Sequence, residues 1–89
     1  MADRARLTEH ARAEAFRRGI SEELALEVAR APEQRIPGRA GREIRQSRVT
    51  DPASGKLYLV RVVVEVREDE ESIVTVYRSS KIGKYWSQQ

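Results

Sequence analysis

Apolar and polar residues alternate in two segments of the C-terminal half of the chain. Segment 57–66 carries valines on one parity and Arg61 on the other, and segment 73–79 likewise separates two valines from Thr75 and Tyr77. Successive side chains of a β-strand point to opposite faces of the sheet. We therefore predict a β-hairpin with one valine-packed face, and an opposite face that carries Arg61, Thr75 and Tyr77.

Four further segments complete the predicted sheet and its turns. A weaker strand is predicted at 42–49, and the sequence Asp-Pro-Ala-Ser-Gly at 51–55 indicates a turn before the long strand. The acidic stretch 67–72 is predicted to form a solvated hairpin loop. Residues 33–37 form either a loop or an edge strand, because Pro37 lacks the N–H group that a central strand needs.

Two short helices are predicted before the sheet. Thr8 is the expected N-cap of the first helix, and Gly19 can take the left-handed conformation that ends it. Ser21 is the expected N-cap of the second helix, which Pro32 ends at about Arg30. The two helices are expected to form a hairpin with one modest apolar face.

These elements place the chain in the α+β class. We predict a single domain over residues 1–89, with a helical hairpin at about 8–31, an antiparallel sheet at about 42–79 and a tail at 80–89. The two N-terminal helices are expected to pack on one face of a three- to four-stranded antiparallel sheet. Phe16 lies away from the apolar row of the first helix, but we expect it to reach the core.

The composition narrows the class of protein. The 89 residues contain no cysteine, and no apolar stretch approaches the length of a membrane-spanning helix. The N-terminus also lacks the apolar core of a signal peptide. We therefore expect a soluble, cytoplasmic protein with no membrane partner, and its oligomeric state stays open.

Charge is distributed unevenly, although the net formal charge is only +3. Basic residues are concentrated at 35–61, and acidic residues follow at 62–72. Fourteen of the seventeen basic residues are arginine, whose planar guanidinium group pairs well with phosphate or carboxylate. The pattern indicates either a solvated, arginine-rich surface or a basic sheet face for a polyanion, such as RNA, or for an acidic partner.

The expected strand pairing brings several of these side chains together. Pairing the valines of the hairpin sets Arg61 across from Tyr77, and pairing Ile44 with Val62 sets Arg45 beside Arg61. We therefore expect Arg45, Arg61 and Tyr77 to form one row on the face away from the helices. Such a row suits an RNA phosphate, because arginine stabilises charge that develops on phosphorus and tyrosine can move a proton.

His10 is the only histidine, and Glu14 follows it one helical turn later. It is either a helix-surface histidine that contacts this carboxylate or a general acid or base at the mouth of a helix–sheet cleft. A lone histidine with scattered carboxylates does not match the ligand spacing of zinc or iron sites. We therefore expect no metal and no cofactor.

The tail combines basic and aromatic residues. Lys81, Lys84, Tyr85 and Trp86 lie within six residues of one another, a combination that can stack on nucleobases. In the alternative, Ile82 and Trp86 fold back to cover an edge of the sheet.

Six short motifs follow one another along the chain: Thr8-Glu9-His10-Ala11, Arg18-Gly19-Ile20-Ser21, Pro32-Glu33, Arg61-Val62-Val63-Val64, Thr75-Val76-Tyr77 and Lys84-Tyr85-Trp86. Together they resemble the bacterial domain-of-unknown-function family 4258. That family is similar to the RelE/ParE-type toxin fold, in which two helices pack on an antiparallel sheet. The resemblance implies a toxin-like ribonuclease, or a descendant that lost the chemistry, and marks His10, Arg61, Thr75 and Tyr77 as candidate site residues.

Three functional hypotheses follow. In the first, the protein is a metal-independent ribonuclease: Arg61, aided by Arg45, binds the scissile phosphate, and Tyr77 or His10 moves the protons. In the second, the same surface binds RNA or an antitoxin-like protein without cleavage, and in the third the chain is an inactive structural descendant. The expected nucleic-acid-binding residues are Arg45, Arg48, Arg61, Thr75, Lys81 and Lys84.

Overall fold

The computed structural model describes residues 5–88, which form one five-stranded sheet with two main helices. In chain order the elements are β1 (Ala5–Leu7), α1 (Glu9–Arg17), α2 (Glu22–Arg30), β2 (Gln34–Pro37), a 3₁₀ turn (Arg39–Gly41), β3 (Glu43–Thr50), β4 (Leu57–Arg67), β5 (Glu70–Ser79) and α3 (Ile82–Tyr85). None of the helices within residues 5–88 combines the length and the apolar character that crossing a membrane requires.

The sheet has the strand order β1-β5-β4-β3-β2. Strand β1 runs parallel to β5, and the remaining neighbours are antiparallel. The prediction of an antiparallel sheet with three to four strands is therefore wrong in strand count and in sheet type. The edge-strand alternative for 33–37 is confirmed by β2, whereas the three residues of β1 are too few for alternation to reveal a strand.

Both helix starts follow the predicted capping pattern. The Thr8 hydroxyl accepts a hydrogen bond from the Ala11 N–H at 3.1 Å, and the Ser21 hydroxyl accepts one from the Leu24 N–H at 3.0 Å. Gly19 has φ = 71°, the left-handed conformation that lets the chain leave α1. These local signals explain why the helices begin and end near the predicted residues.

A β-bulge interrupts the pairing between β4 and β5. Val62 lies opposite Val76 as predicted, but Val64 lies opposite Ile73, which leaves Val74 as the extra residue. Ile73 is therefore completely buried, whereas Val74 is only partly buried. The prediction that Val74 continues the valine face is wrong, because a bulge changes which parity points inward.

The hairpin between β4 and β5 is tighter than predicted. The strands pair as far as Arg67 and Glu70, so that only Glu68 and Asp69 form the turn. Glu68 has φ = 56°, as two-residue hairpin turns require. The acidic stretch 67–72 is thus largely strand, and Glu71 is available for a contact inside the fold.

Small helix residues pack on the valine face of the sheet. The buried apolar residues of this core are Leu7, Ala11, Ala15, Ile20, Ala25, Val28, Ala29, Tyr58, Val60, Val62, Val64, Ile73 and Val76. Alanines on the inner faces of α1 and α2 allow the helices to lie close to the strands. Phe16 does not join this core: it is 88% exposed, so the prediction that it reaches the interior is wrong.

Candidate functional site

The pairing of Arg61 with Tyr77 is confirmed. The two residues lie directly opposite each other on β4 and β5, on the sheet face away from α1 and α2, which we call the outer face. The Arg61 Nη1 group donates a hydrogen bond to the Tyr77 hydroxyl oxygen at 2.6 Å. Because that oxygen accepts from Arg61, the phenolic proton is left for another acceptor.

Arg45 does not join them. Strand β3 is shifted by one residue from the predicted register, so that Arg45 lies opposite Val62 and Gln46 lies opposite Arg61. A shift of one residue moves every side chain of a strand to the other face. The prediction that Arg45 lies in the row with Arg61 is therefore wrong, and Gln46 takes its place.

Arg45 instead makes a buried ion cluster on the helix side of the sheet. Its Nη1 and Nη2 groups donate to the two carboxylate oxygens of Glu71 at 2.9 and 3.0 Å, and its Nε group donates to Glu43 at 2.7 Å. Nη1 also donates to the carbonyl oxygen of Ala29 at the end of α2, at 2.7 Å. The hydrogen bonds from Arg45 lower the pKa of Glu71, and Glu71 in turn raises the pKa of Arg45.

A hydrogen-bonded row of four side chains crosses the outer face, one from each of β2 to β5. Gln46 Nε2 donates to Gln34 Oε1 at 2.7 Å, and Arg61 Nε donates to Gln46 Oε1 at 2.7 Å. The Arg61–Tyr77 bond completes the row. We call these four residues the polar row.

The C-terminal segment, residues 81–87, lies over the polar row. Gln46 Nε2 donates to the carbonyl oxygen of Tyr85 at 3.2 Å. The Gln34 side chain accepts from the Ser87 N–H at 3.0 Å and donates to the Ser87 carbonyl oxygen at 2.9 Å. The prediction that the tail folds back on the sheet is confirmed, although it covers the outer face rather than an edge.

Two aromatic rings of this segment lie on two arginines. The Arg61 Cζ atom is 4.3 Å from the centre of the Tyr85 ring, and the Arg48 Cζ atom is 4.2 Å from the Trp86 ring. Tyr77 also meets Tyr85 edge to face, with ring centres 6.3 Å apart. Cation–π contacts of this kind are favourable when the cation is shielded from water.

Arg61 is buried among neutral groups. It is 7% exposed, and its contacts are the Gln46 amide, the Tyr77 phenol and the Tyr85 ring. Within residues 5–88 no carboxylate lies at ion-pair distance from its guanidinium group. A buried charge is costly unless a counter-charge accompanies it. An anion bound next to Arg61 would therefore be electrostatically favourable.

The other residues predicted to bind nucleic acid are distributed over the outer face and the C-terminal segment. Arg48 lies on the outer face, where its Nε and Nη2 groups both donate to the carboxylate of Glu33 at 3.1 Å and lower the pKa of that carboxyl group. Thr75 lies on the outer face opposite Val63. Lys81 and Lys84 are exposed at the surface of the C-terminal segment.

His10 lies on the other side of the sheet from Arg61 and Tyr77. It is on the exposed surface of α1, with Nε2 3.8 Å from the nearest carboxylate oxygen of Glu14. Glu14 also accepts hydrogen bonds from Arg17 and Arg18, which lower its pKa to about 2. The structure thus supports the interpretation of His10 as a helix-surface histidine beside a carboxylate, and separates it from the polar row.

Sequence reasoning missed Gln34 and Gln46, the two amides of the polar row. Uncharged polar residues on a strand are usually read as solvent-facing, but Gln46 is completely buried. The one sequence signal that could have indicated the burial of Gln46 is its position in a strand that must pair with β4.

No group of three or more His, Asp or Glu side chains within residues 5–88 is arranged to hold a metal ion.

A family model described as "Domain of unknown function (DUF4258)" matches residues 7–78, which is most of the chain. The chain belongs to this family. The region that matches DUF4258 contains both main helices and strands β2 to β4, together with Arg61 and Tyr77. The C-terminal segment follows the matched region. No curated protein and no solved structure gives a significant match.

Proposed function

We propose that this DUF4258 protein binds single-stranded RNA through the outer face of its sheet, with Arg61 as the phosphate-binding residue. The observation that carries the proposal is the burial of Arg61 among neutral groups, with no carboxylate of residues 5–88 beside it. An RNA phosphate supplies the missing negative charge, and a guanidinium group can bind it through two hydrogen bonds.

The surroundings of Arg61 favour a single strand over a duplex. Tyr77 supplies an aromatic ring next to the Arg61 cation, the combination on which unpaired bases stack. The guanidinium groups of Arg61 and Arg48 can also accept a stacked ring, as their contacts with Tyr85 and Trp86 indicate. If the family shares the RelE/ParE-type toxin fold, as the sequence resemblance implies, that likeness also favours RNA as the polyanion. That likeness is a fold-level analogy, so the weight of the proposal rests on Arg61.

RNA cleavage is a second candidate function, supported by the 2.6 Å contact between Arg61 and Tyr77. In this reaction the ribose 2′-oxygen attacks phosphorus and loses its proton to water, while the bond from phosphorus to the 5′-oxygen breaks. Arg61 would stabilise the charge on the phosphoryl oxygens, and Tyr77 would give its proton to the departing 5′-oxygen and regain one from the water that received the 2′-proton. Arg45 and His10 have no part in this proposal, because the sheet separates both from the outer face.

The binding proposal is tested by fluorescence anisotropy with a short labelled single-stranded RNA. We expect Arg61→Met to weaken binding about tenfold or more, in line with the loss of one charge-assisted phosphate contact. The matched control is Arg12→Met, which removes the same charge from α1 on the other side of the sheet. Equal affinities for wild type, Arg61→Met and Arg12→Met would reject Arg61 as the binding residue.

Cleavage is tested separately by incubating RNA with the protein in the presence of a chelator. Tyr77→Phe removes the hydroxyl group and keeps the ring, so RNA binding should stay within about threefold while cleavage falls roughly 10²-fold or more. Cleavage that is unchanged in Tyr77→Phe would assign any activity in the sample to another residue or to a contaminant. The absence of cleavage with intact, Arg61-dependent binding would leave the protein as a binding module.

A further inference from the structure

The C-terminal segment is attached to the outer face in a way that matches the contacts of a nucleic acid strand. Tyr85 and Trp86 are consecutive residues, and their rings lie on arginines of adjacent strands, Arg61 on β4 and Arg48 on β3. Proteins that bind single strands offer stacking partners of this kind to successive bases. The two rings therefore lie where two neighbouring bases would be expected to stack.

The next residue continues the same pattern. The Gln34 amide makes one donor and one acceptor hydrogen bond with the backbone of Ser87, at 2.9 and 3.0 Å. A glutamine amide makes the same kind of paired contact with the edge of a nucleobase. The Gln34 side chain could therefore make the same pair of hydrogen bonds with a peptide group or with a base.

The contacts of the segment are less extensive than those between the strands beneath it. It forms only the four-residue helix α3, it does not pair with any strand of the sheet, and none of residues 81–87 is buried. Elements with few buried contacts open at lower free energy than the core of a protein. The segment also leaves Arg61 without a counter-charge, which an RNA phosphate would provide.

We infer that the C-terminal segment occupies the path of the RNA, so that Tyr85 and Trp86 take the places of two successive bases and an incoming single strand displaces them. This inference rests on the proposed RNA binding and adds to it the two base-stacking positions, over Arg61 and over Arg48. It also makes the segment a competitor of the ligand within the same chain.

The test compares RNA affinities of full-length variants at one salt concentration. The double variant Tyr85→Ala/Trp86→Ala should bind a short single-stranded RNA about tenfold more tightly than wild type, since each base would stack on an arginine without first displacing a ring. Ile82→Ala changes an aliphatic residue of the same segment and should alter the affinity by no more than about twofold. Circular dichroism spectra of all variants establish that they are folded.

Trp86 provides a second readout, because it is the only tryptophan of the chain. If RNA displaces the segment, the Trp86 emission of the wild-type protein should move to longer wavelength as the ring leaves Arg48 for water. Emission that stays in place at saturating RNA would overturn the inference.

The outcomes separate this inference from the proposed function. If wild type binds RNA in an Arg61-dependent manner but the double variant binds equally or more weakly, only the inference is rejected, and the rings belong to the binding surface or lie outside it. If no variant binds RNA, the proposed function fails and the inference fails with it.

Discussion

Arg45 and Arg61 lie on adjacent strands and are 3% and 7% exposed, but they point to opposite faces of the sheet. Arg45 is surrounded by charge of the opposite sign, since two carboxylates and a helix carbonyl oxygen accept its hydrogen bonds. Arg61 is surrounded by an amide, a phenol and an aromatic ring. The same residue type, buried to a similar extent, therefore has two different electrostatic environments.

The difference supports the proposal that Arg45 maintains the fold and that Arg61 binds a ligand. The cluster of Arg45 connects β3, β5 and the end of α2, and its charge is already balanced. The charge of Arg61 is not balanced by any carboxylate of residues 5–88, and a fold that keeps such a group does so at a cost in stability. The proposed ligand binding is therefore assigned to the outer face, and the contacts that stabilise the fold lie on the helix side.

The largest expected effect concerns stability. Arg45→Met should lower the free energy of unfolding by roughly 2–3 kcal/mol, because several charge-assisted hydrogen bonds are lost, although the two carboxylates left behind are partly solvated. Arg61→Met should lower it by only about 1 kcal/mol, because the lost hydrogen bonds are partly offset by removal of an unbalanced buried charge. Urea unfolding followed by circular dichroism measures both values, and equal losses would remove the distinction between the two arginines.

A carboxylate placed beside Arg61 should balance its charge, as Glu43 and Glu71 balance the charge of Arg45 on the helix side. Thr75 is a diagonal neighbour of Arg61 across the β4–β5 pair, within reach of a longer side chain. Thr75→Glu should weaken RNA binding about tenfold, whereas Thr75→Gln, of the same size without the charge, should stay within about twofold. If both variants bind RNA equally well, the missing counter-charge is not what makes Arg61 a binding residue.

The two arginines should also differ in how their contribution to stability depends on pH. Arg45 lowers the pKa of Glu71 below its ordinary value of 4.5, so the stabilisation is complete above about pH 4.5 and is lost as the pH falls through the lowered value. The stability difference between wild type and Arg45→Met should therefore shrink below about pH 4.5.

No carboxylate of residues 5–88 contacts Arg61, so the difference between wild type and Arg61→Met should stay constant over the same range. Unfolding curves from neutral to strongly acidic pH provide the comparison. A difference for Arg45→Met that does not change with pH would show that Glu71 is not its main partner.

The smallest expected effect comes from Arg48, which shares features of both environments. It stacks on Trp86 on the outer face, but its charge is balanced by Glu33. Glu33→Gln should release Arg48 for phosphate and raise RNA affinity by about two- to threefold, the modest value typical of an exposed ion pair. A fall in affinity would mean that Glu33 positions Arg48 for binding rather than competing with the ligand.

Local sequence signals predicted much of the fold. The caps at Thr8 and Ser21, the left-handed Gly19 and the alternation in the hairpin each depend on a few neighbouring residues, and each is found in the structure. The facing of Arg61 and Tyr77 follows from the same alternation.

Features that depend on register or on distant neutral groups could not be predicted. Ile44 and Val49 have opposite parity in β3, so apolar pattern alone does not determine which face Arg45 occupies. The contacts of Gln34 with Ser87 join an amide to the backbone over 53 residues, and such contacts leave no periodic pattern. The bulge at Val74 likewise depends on the pairing of β4 with β5 and not on a local pattern within one strand.

The salt dependence of RNA binding tests the central claim most directly, because each phosphate contact adds to the slope of log affinity against log salt concentration. If Arg61 contacts a phosphate, the slope for Arg61→Met should be shallower than that of wild type by about 0.7, the value for one contact with a single strand. Arg12→Met, on the opposite side of the sheet, should leave the slope unchanged. Identical slopes for wild type and Arg61→Met would contradict the account.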